Sequence, residues 1–307
     1  RPPGPRAHRI PLRLGADPDA VGIMVEQNLA AASVAIISNS FSEVLAGVKN
    51  VTAIPVTANG NYWGSATPDI DALVMGDVVA ESFYADTALT DLRYYVVYVD
   101  DTFASESGNQ FQTIQGGVNA VSPFGTVSVA AGTYNEHVTV DKTIKLAGAD
   151  AATTTVNGSG SGVAVTITAD DVALSGFTVT GSGATPIADA GVILYGVSGC
   201  EVRDCVVSAN GGVGIGLQGA NGNTIQNNAL ANNAIAGIGL LGSANNTVAG
   251  NTVTATTTFG TQYGYGIVLD GIDLNADDRE DLFSTGNTIM GNTCTSNQGD
   301  GIYLGWE

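Results

Sequence analysis

Positive charge is scarce in this sequence. Only ten of its 307 residues are lysine or arginine, against 29 aspartates and glutamates, so the formal net charge at pH 7 is −19. A protein with this charge repels the phosphate backbone of a nucleic acid instead of neutralising it. The composition therefore excludes nucleic acid as a partner.

Long apolar runs, histidine and cysteine are also in short supply. No run of about 18 apolar residues occurs, so the sequence predicts no membrane span. The two histidines and three cysteines have no metal-site spacing. No Ser-His-Asp set is visible, and a catalytic cysteine would have to recruit a distant histidine. Cys205 is instead expected to point inward as a small buried thiol.

Glycine is abundant, and it recurs with a fixed period. A glycine followed by isoleucine or valine returns every 23 residues, at Gly191, Gly214 and Gly237. The phrase Asn-Thr-(Ile/Val)-x-x-Asn fills 223–228, 246–251 and 287–292. Such a period is typical of a solenoid, in which each repeat buries its apolar face against its neighbours. Stacked asparagines are expected to pass amide hydrogen bonds from coil to coil.

A short helix is predicted before the first regular coil. Phe111, Ile114, Val118 and Val121 have helical spacing, and a helix with one apolar face would cover the first coil, which is otherwise an exposed strand edge. We therefore expect an N-terminal cap in this segment.

Three features resemble the right-handed parallel β-helix, or pectin-lyase-like, superfamily over roughly 96–307. They are the capping helix, the phrase Gly132-Thr-Tyr-Asn-Glu136, and the Gly-Ile and Asn-Asn coils. The resemblance implies an all-β solenoid with a short N-terminal capping helix. It implies no particular activity, since this fold serves lyases, hydrolases, phage spikes and surface proteins. We expect Tyr134 and Glu136 to be cap residues.

The coil pattern also occurs upstream of the cap, starting at Gly22 and Gly47, and Asn61-Tyr-Trp-Gly64 resembles a phrase that commonly finishes a β-helix in this superfamily. The chain thus opens with the terminal coils of a second β-helix segment. The predicted domains are a basic N-terminal arm at 1–18, β-helix terminal coils at 19–84, a connector at 85–95 and a capped parallel β-helix at 96–307.

These ends predict a structural protein at the cell surface or outside the cell. Residues 19–84 of one copy would complete the β-helix of the next, giving a head-to-tail filament or surface layer made of copies of the chain. The predicted interface residues are Arg6, Arg9, Arg13, Ile23, Val25, Ile302, Leu304 and Trp306. Closure within one chain, a freely solvated arm, and an origin as part of a larger adhesin are the alternatives.

Residues for polysaccharide chemistry are sparse, so the chain is predicted not to be an enzyme. The resemblance implies paired aspartates, a Gly-His-Gly and an Arg-x-Lys for the glycosidases of the fold; the last two are missing. For a lyase, Arg203 beside Asp204 is the sole candidate in the core region. A polysaccharide lyase or hydrolase, or a glycan-binding domain with a groove on the solenoid face, is the alternative function, with cell-surface glycans as partners.

One acidic segment is a candidate calcium site. Asp273, Asn275, Asp277 and Asp281 offer oxygen ligands at positions 1, 3, 5 and 9 of a loop, which suits Ca²⁺. The segment lacks the glycine and the final glutamate of that loop pattern, and a solvated acidic loop is the alternative interpretation. No other cofactor is predicted.

Overall fold

The computed structural model describes residues 21–25, 34–41, 46–51, 55–75, 78–86, 88–185, 188–258, 260, 264–271 and 283–305. The chain divides into two compact units, Arg1–Arg93 and Tyr94–Glu307. In the predicted connector, 85–95, the described residues 85–86 and 88–95 form a turn and the start of a strand. The sequence-based domain boundaries stay predictions.

The first unit contains short parallel strands and one helical turn. Its described elements are β1 (Val21–Val25), β2 (Val34–Ala35), β3 (Ala46–Asn50), β4 (Val56–Thr57), α1 (Ile70–Leu73), β5 (Val74–Met75), β6 (Val78–Val79) and β7 (Ser82–Tyr84). Two parallel sheets have the orders β1-β3-β5 and β2-β4-β6. Each turn of the chain adds one strand to each of these sheets, so the coil pattern predicted upstream of the cap is confirmed.

Aromatic packing and one buried amide hold these coils together. The rings of Phe41 and Trp63 lie 5.1 Å apart between centroids. Asn61 is fully buried, and its amide donates 2.7 Å hydrogen bonds to the carbonyls of Ile36 and Ala58. The Asn-Tyr-Trp-Gly phrase therefore contributes two buried residues, Asn61 and Trp63, to the core of this unit.

The second unit is a longer coil stack with one helix at its start. Its described elements are β8 (Leu92–Val99), β9 (Gln110–Phe111), α2 (Ile114–Ala120), β10 (Val121–Val129), β11 (Gly132–Tyr134), β12 (Val138–Val140), β13 (Lys145–Gly148), β14 (Thr154–Asn157), β15 (Val165–Ile167), β16 (Ala173–Ser175), β17 (Thr178–Thr180), β18 (Ala190–Tyr195), β19 (Glu201–Arg203), β20 (Val206–Ser208), β21 (Val213–Gln218), β22 (Thr224–Gln226), β23 (Ala229–Ala231), β24 (Ala236–Leu241), β25 (Thr247–Ala249), β26 (Thr252–Thr254), β27 (Tyr265–Asp270), β28 (Thr288–Met290), β29 (Thr293–Thr295) and β30 (Ile302–Leu304).

These strands form three parallel sheets. Within this unit, sheet A has the order β8-β10-β13-β16-β19-β22-β25-β28, sheet B has β11-β14-β17-β20-β23-β26-β29, and sheet C has β12-β15-β18-β21-β24-β27-β30. From β10 onward each strand pairs with the strand three elements later, so each coil stacks on the one before. The predicted parallel β-helix is confirmed.

Alternate residues of each strand fill the core. In sheet C, Val192, Ile215, Ile238 and Ile267 are register partners, and all four are fully buried. Each burial of such a side chain contributes about 1.5–3 kcal/mol relative to exposure. The residues between them face outward and are available for function.

Asparagine ladders run along the corners of the stack, as predicted. The Asn228 side-chain carbonyl accepts the Cys205 N–H at 3.0 Å, and the Asn251 and Asn292 side chains do the same for the coils before them, both at 2.9 Å. Each of the three amide groups also donates to a backbone carbonyl. The ladder therefore satisfies backbone groups at the turns that the sheets leave unpaired.

The cap is also confirmed. Helix α2 begins after Thr113, whose hydroxyl accepts the Gly116 N–H at 3.1 Å. The Glu136 carboxylate accepts the N–H groups of Ile114 and Gln115, at 2.8 and 2.9 Å. A carboxylate is favoured here because the N-terminal amides of a helix are unpaired and carry partial positive charge.

Tyr134 belongs to the same cap. The side chain is buried, and its hydroxyl donates to the Ala130 carbonyl at 3.1 Å. Burial, with the nearby charges of Asp101 and Asp100, raises the pKa of Tyr134 to about 12. Tyr134 and Glu136 thus have structural roles, as expected.

Candidate functional site

A groove lies on the outer face of sheet C. Ile193, Gly216, Gly239, Val268 and Tyr303 are register partners on five successive strands and line it. The two central positions carry no side chain, so the face is concave there. A Cβ atom on Gly239 would come within 3.5 Å of Val268 and would fill part of the floor.

The walls of this groove are mostly apolar. Val213, Ile235 and Leu241 stand beside the glycine floor, while Gln218 adds a polar group. The cavity volume is about 190 Å³. This is below the roughly 300–1,000 Å³ typical of pockets for whole drug-sized ligands. The groove therefore fits part of a long ligand better than a complete cofactor.

Two tyrosines form one side of the groove. The rings of Tyr265 and Tyr303 are stacked, with centroids 4.6 Å apart and planes 19° from parallel. Tyr265 begins β27 and Tyr303 is the central residue of β30. The pair offers a rigid aromatic face with hydroxyl groups at its edge, which is suited to a flat ligand that has both apolar and polar surface.

Carboxylates stand near the two ends of the groove. Asp189 precedes β18 and accepts the Thr185 N–H at 2.7 Å; Asp270 ends β27 and accepts the Gly271 N–H at 3.1 Å. By the sheet register, six positions along the strand and three strands separate them, so their Cα atoms are roughly 25 Å apart. Paired glycosidase carboxylates are about 5–9.5 Å apart. These two aspartates therefore cannot act as such a pair.

Arg203 and Asp204 lie away from the groove. Arg203 is on β19 of sheet A, where its guanidinium bonds Asp204 at 2.5 Å and Glu201 at 3.2 Å. These contacts, the Asp204 hydrogen bond first, raise the pKa of Arg203. The arginine is therefore held as a cation in a surface ion-pair cluster, and the structure does not bring it to the other candidate residues.

The candidate calcium ligands Asp273, Asn275, Asp277 and Asp281 lie outside the described residues. Within the described part of the chain, no group of three or more His, Cys, Asp or Glu residues could hold a metal ion. The calcium site stays a prediction.

The predicted interface is described only in part. Ile302 and Leu304 are 50% and 65% exposed on the last described strand of sheet C, although their register partners Ile267 and Leu269 face the core. Ile23 is half-buried in β1. Four of the remaining candidates lie outside the described residues: Arg6, Arg9, Arg13 and Trp306. Val25 belongs to β1, but its side chain is not described.

Cys205, whose N–H bonds the Asn228 ladder, is buried, as predicted. Burial raises the pKa of Cys205 to about 11, so its thiol is protonated at neutral pH and is a poor nucleophile.

One contact between a serine and a histidine was not predicted from the sequence. The Ser161 hydroxyl lies 3.4 Å from His137 Nε2, and His137 Nδ1 lies 2.7 Å from the Val163 carbonyl. The third partner is a backbone carbonyl, so no Ser-His-Asp set forms here.

The groove itself was also missed. The signal available in the sequence was the second glycine of each Gly-Ile-Gly-Leu strand, at Gly216 and Gly239, since alternation in a strand places that residue on the outer face. Tyr303 can be aligned with the same row, because Gly301-Ile-Tyr-Leu304 repeats the pattern of Gly266-Ile-Val-Leu269, but nothing local in the sequence marks it as part of a groove.

Comparison with known proteins identifies the family. The model of the right-handed β-helix region matches residues 151–305, half of the chain. The chain therefore belongs to the right-handed β-helix family. None of the curated proteins compared with the chain matches it.

Several solved structures are similar to the chain at low identity. A pectin methylesterase in complex with a hexasaccharide is 12% identical, with a TM-score of 0.41 over 68% of this chain and 66% of that one. The carrot pectin methylesterase is 11% identical, with a TM-score of 0.41 over 67% and 87%. A periplasmic alginate epimerase is 11% identical, with a TM-score of 0.34 over 90% and 70%.

These matches correct one prediction. The sequence analysis predicted that the chain is not an enzyme, and this is wrong by the comparison, since the matching structures are named as pectin methylesterases, an alginate lyase and an alginate epimerase. In the described part of the chain, no helix is long and apolar enough to cross a membrane.

Proposed function

We propose that this chain is an extracellular β-helix protein that acts on or binds a polysaccharide and holds a segment of that polymer in the groove of sheet C. The observation that carries the proposal is the stacked pair Tyr265–Tyr303 beside a floor of two glycines. A sugar ring has an apolar face of C–H groups and a polar edge of hydroxyls. An aromatic face with polar groups around it matches both surfaces.

The polar groups of the groove fit sugar hydroxyls. Gln218 has an amide that can donate and accept, and Asp270 has a carboxylate that accepts. Hydroxyls both donate and accept, so they can pair with either group. The few polar groups would fix the orientation of the sugar, while the apolar walls and tyrosines supply most of the contact area.

The geometry of a solenoid also suits a polymer. The five strands from β18 to β30 span about 19 Å across the stack at ~4.8 Å per strand. On the same outward row, Ile193 is preceded by Thr166 and Thr139 on the neighbouring strands. A chain of sugars lying across the coils would thus leave the groove over two further hydroxyl groups.

Calorimetric titration with neutral and acidic hexasaccharides tests the proposal. Tyr303→Ala and Gly239→Val should each weaken binding at least tenfold, which is about 1.4 kcal/mol, because one removes the aromatic face and the other fills the floor. Tyr195→Ala is the matched control: Tyr195 is 59% exposed on β18 of the same sheet and does not line the groove. Equal binding by all three variants, or no binding by the unmodified protein, would contradict the proposal.

Chemical activity is read from the same samples. Mass spectrometry of each hexasaccharide after incubation reports cleavage, loss of ester groups or an unchanged ligand. The Tyr303→Ala variant should lower any conversion in parallel with binding, since both depend on occupation of the groove.

We also propose head-to-tail assembly as a second function, supported by a separate observation. Ile302 and Leu304 are in register with core residues, yet they are half or more exposed. A coil from another copy, such as residues 19–84, would bury them by adding a parallel strand beside β30. Such a contact is heterologous and extends into a filament unless it closes into a ring.

Sedimentation velocity at increasing concentration tests this assembly. Leu304→Asp should yield monomers, whereas Met290→Asp should leave polymers intact, because Met290 is 57% exposed on the same coil but faces outward. Monomers of the unmodified protein at all concentrations, or polymers of Leu304→Asp, would rule the assembly out.

A further inference from the structure

We infer that the groove selects a neutral glycan and rejects a polyuronate. This inference rests on the proposed function of the groove and names its ligand class. It is carried by the distribution of charge around sheet C, which is one-sided in the described part of the chain.

The charged groups that line the groove are both acidic. Asp189 and Asp270 stand near its two ends, as described above. Each accepts one backbone N–H, and neither forms an ion pair with a lysine or arginine of the described residues. A ligand that spans β18 to β30 would meet a carboxylate at each end of its path. A carboxylate on the ligand would therefore meet like charge.

The cations of the second unit lie elsewhere among its described residues. Lys142 is held at the cap, where its ammonium donates to the carbonyls of Asn119 and Val121, both at 3.0 Å. Lys145 lies on β13 and Arg203 on β19, and both strands belong to sheet A. No lysine or arginine of the described residues lies on sheet C. The groove thus lacks the charged partner that a uronate requires.

The chain immediately after β27 carries the same sign of charge. Residues 272–282 contain the acids Asp273, Asp277, Asp278, Glu280 and Asp281 and a single base, Arg279, a formal charge of −4. This segment follows Asp270 and Gly271 directly in sequence.

The acidic groups of the groove do not weaken the binding of a neutral glycan. Its hydroxyls can donate hydrogen bonds to the two carboxylates, and hydrogen bonds to a charged acceptor are stronger than those between neutral groups. A uronate carboxylate has no proton to donate at neutral pH and replaces that attraction with repulsion. The difference should shrink as salt rises, because Asp270 is only half-buried and salt screens solvent-accessible charges over about 10 Å at 0.1 M.

Pairs of hexasaccharides that differ only in the carboxylate at C6 test this inference. β-1,4-Mannohexaose and β-1,4-hexamannuronate share linkage and ring configuration, and they differ in the carboxylate at C6; cellohexaose and β-1,4-hexaglucuronate form a second pair. Calorimetric titration at low salt, with EDTA present to remove bridging cations, should show at least tenfold tighter binding of a neutral member than of its acidic partner. The ratio should fall in 0.5 M NaCl.

A charge variant gives an internal control. Asp270→Asn keeps an oxygen for the Gly271 N–H and removes one negative charge, so it should raise the affinity for the acidic hexasaccharide at least threefold and lower the affinity for the neutral one, because a neutral amide is a weaker acceptor of sugar hydroxyls. Asp141→Asn is the matched variant, since Asp141 is exposed beyond β12, at the far end of the same sheet, roughly 24 Å away. It should change neither affinity.

The outcomes separate this inference from the proposed function. If neither member of any pair binds, the proposed function fails. If an acidic hexasaccharide binds as tightly as its neutral partner or tighter, and Tyr303→Ala abolishes that binding, the groove binds glycans and the inference of neutral selectivity is overturned. An Asp270→Asn variant with unchanged affinity for the acidic ligand would also overturn it.

Discussion

At the scale of single residues, one corner of the stack is left incomplete. The ladder through Asn210 and Asn233 reaches Thr256, where an asparagine would be expected from the 23-residue spacing, and continues at Asn297. Thr256 is buried, and its hydroxyl has no hydrogen-bond partner among the described residues. A buried polar group without a partner costs about 1–3 kcal/mol.

We expect Thr256→Asn to stabilise the protein by about 1 kcal/mol. The side-chain carbonyl of the new asparagine would accept the Asn233 N–H. Its NH₂ group would take the place of the unpaired threonine hydroxyl and would donate a hydrogen bond along the ladder. Urea unfolding measures the change. Thr254→Asn is the control, because Thr254 faces outward on β26. A Thr256→Asn protein no more stable than this control would show that the ladder is not what limits this corner.

Cys205 makes stability depend on pH in the alkaline range. Burial raises its pKa from 9.0 to about 11, so the folded state holds the thiol proton more tightly than the unfolded chain does. The stabilisation is complete below pH 9 and is lost as the pH rises toward 11. Two pKa units correspond to about 2–3 kcal/mol.

The expected result is a steeper loss of unfolding free energy between pH 8 and pH 10.5 for the unmodified protein than for Cys205→Ala. Urea unfolding under reducing conditions at both pH values measures it. The ladder position tolerates this change, since Asn228 bonds the backbone N–H of residue 205 and not the thiol. Identical pH dependence of the two proteins would contradict the assigned burial.

At the scale of elements, the cap depends on a contact across the chain. Glu136 binds the first two amides of α2, and we expect Glu136→Ala to lower the free energy of unfolding by about 1–2 kcal/mol. Glu136→Gln should lose less, because one oxygen acceptor remains. Asn135→Ala is the control, as Asn135 is exposed on the same turn. If chemical unfolding gives Glu136→Ala the same free energy of unfolding as the unmodified protein, Glu136 does not stabilise the cap.

The sequence predicted elements where the pattern is local. The helical spacing of Ile114 and Val118 located α2, although Phe111 belongs to β9 and Val121 begins β10. The groove has no such local pattern. Its five central residues are separated by intervals of 23, 23, 29 and 35 positions. The last two intervals contain insertions. The repeated Gly-Ile-x-Leu phrase aligns Val268 with Tyr303, but the strand register is needed to show that all five residues form one row.

At the scale of the whole molecule, the second unit is a stack of equivalent coils. Each coil contacts its neighbours through the same three sheets, so stability is close to a sum over coils and their interfaces. In a solenoid, functional residues lie about one coil apart.

Removal of one complete coil should therefore be tolerated. Deletion of residues 215–237, which are 23 in number, joins Gly214 to Ile238 and keeps the strand and ladder registers. Circular dichroism should report unchanged β-structure and cooperative melting at a lower temperature. Deletion of residues 215–226 is the control, since it joins strands out of register and should unfold the unit. Equal effects of both deletions would mean that the coils are not interchangeable.

The most direct measurement for the account is a crystal structure of the protein with a bound neutral hexasaccharide. We predict ordered sugar along sheet C from Ile193 to Tyr303, with one ring against the Tyr265–Tyr303 pair. An ordered hexasaccharide on another face of the stack, with this groove empty, would contradict the central claim.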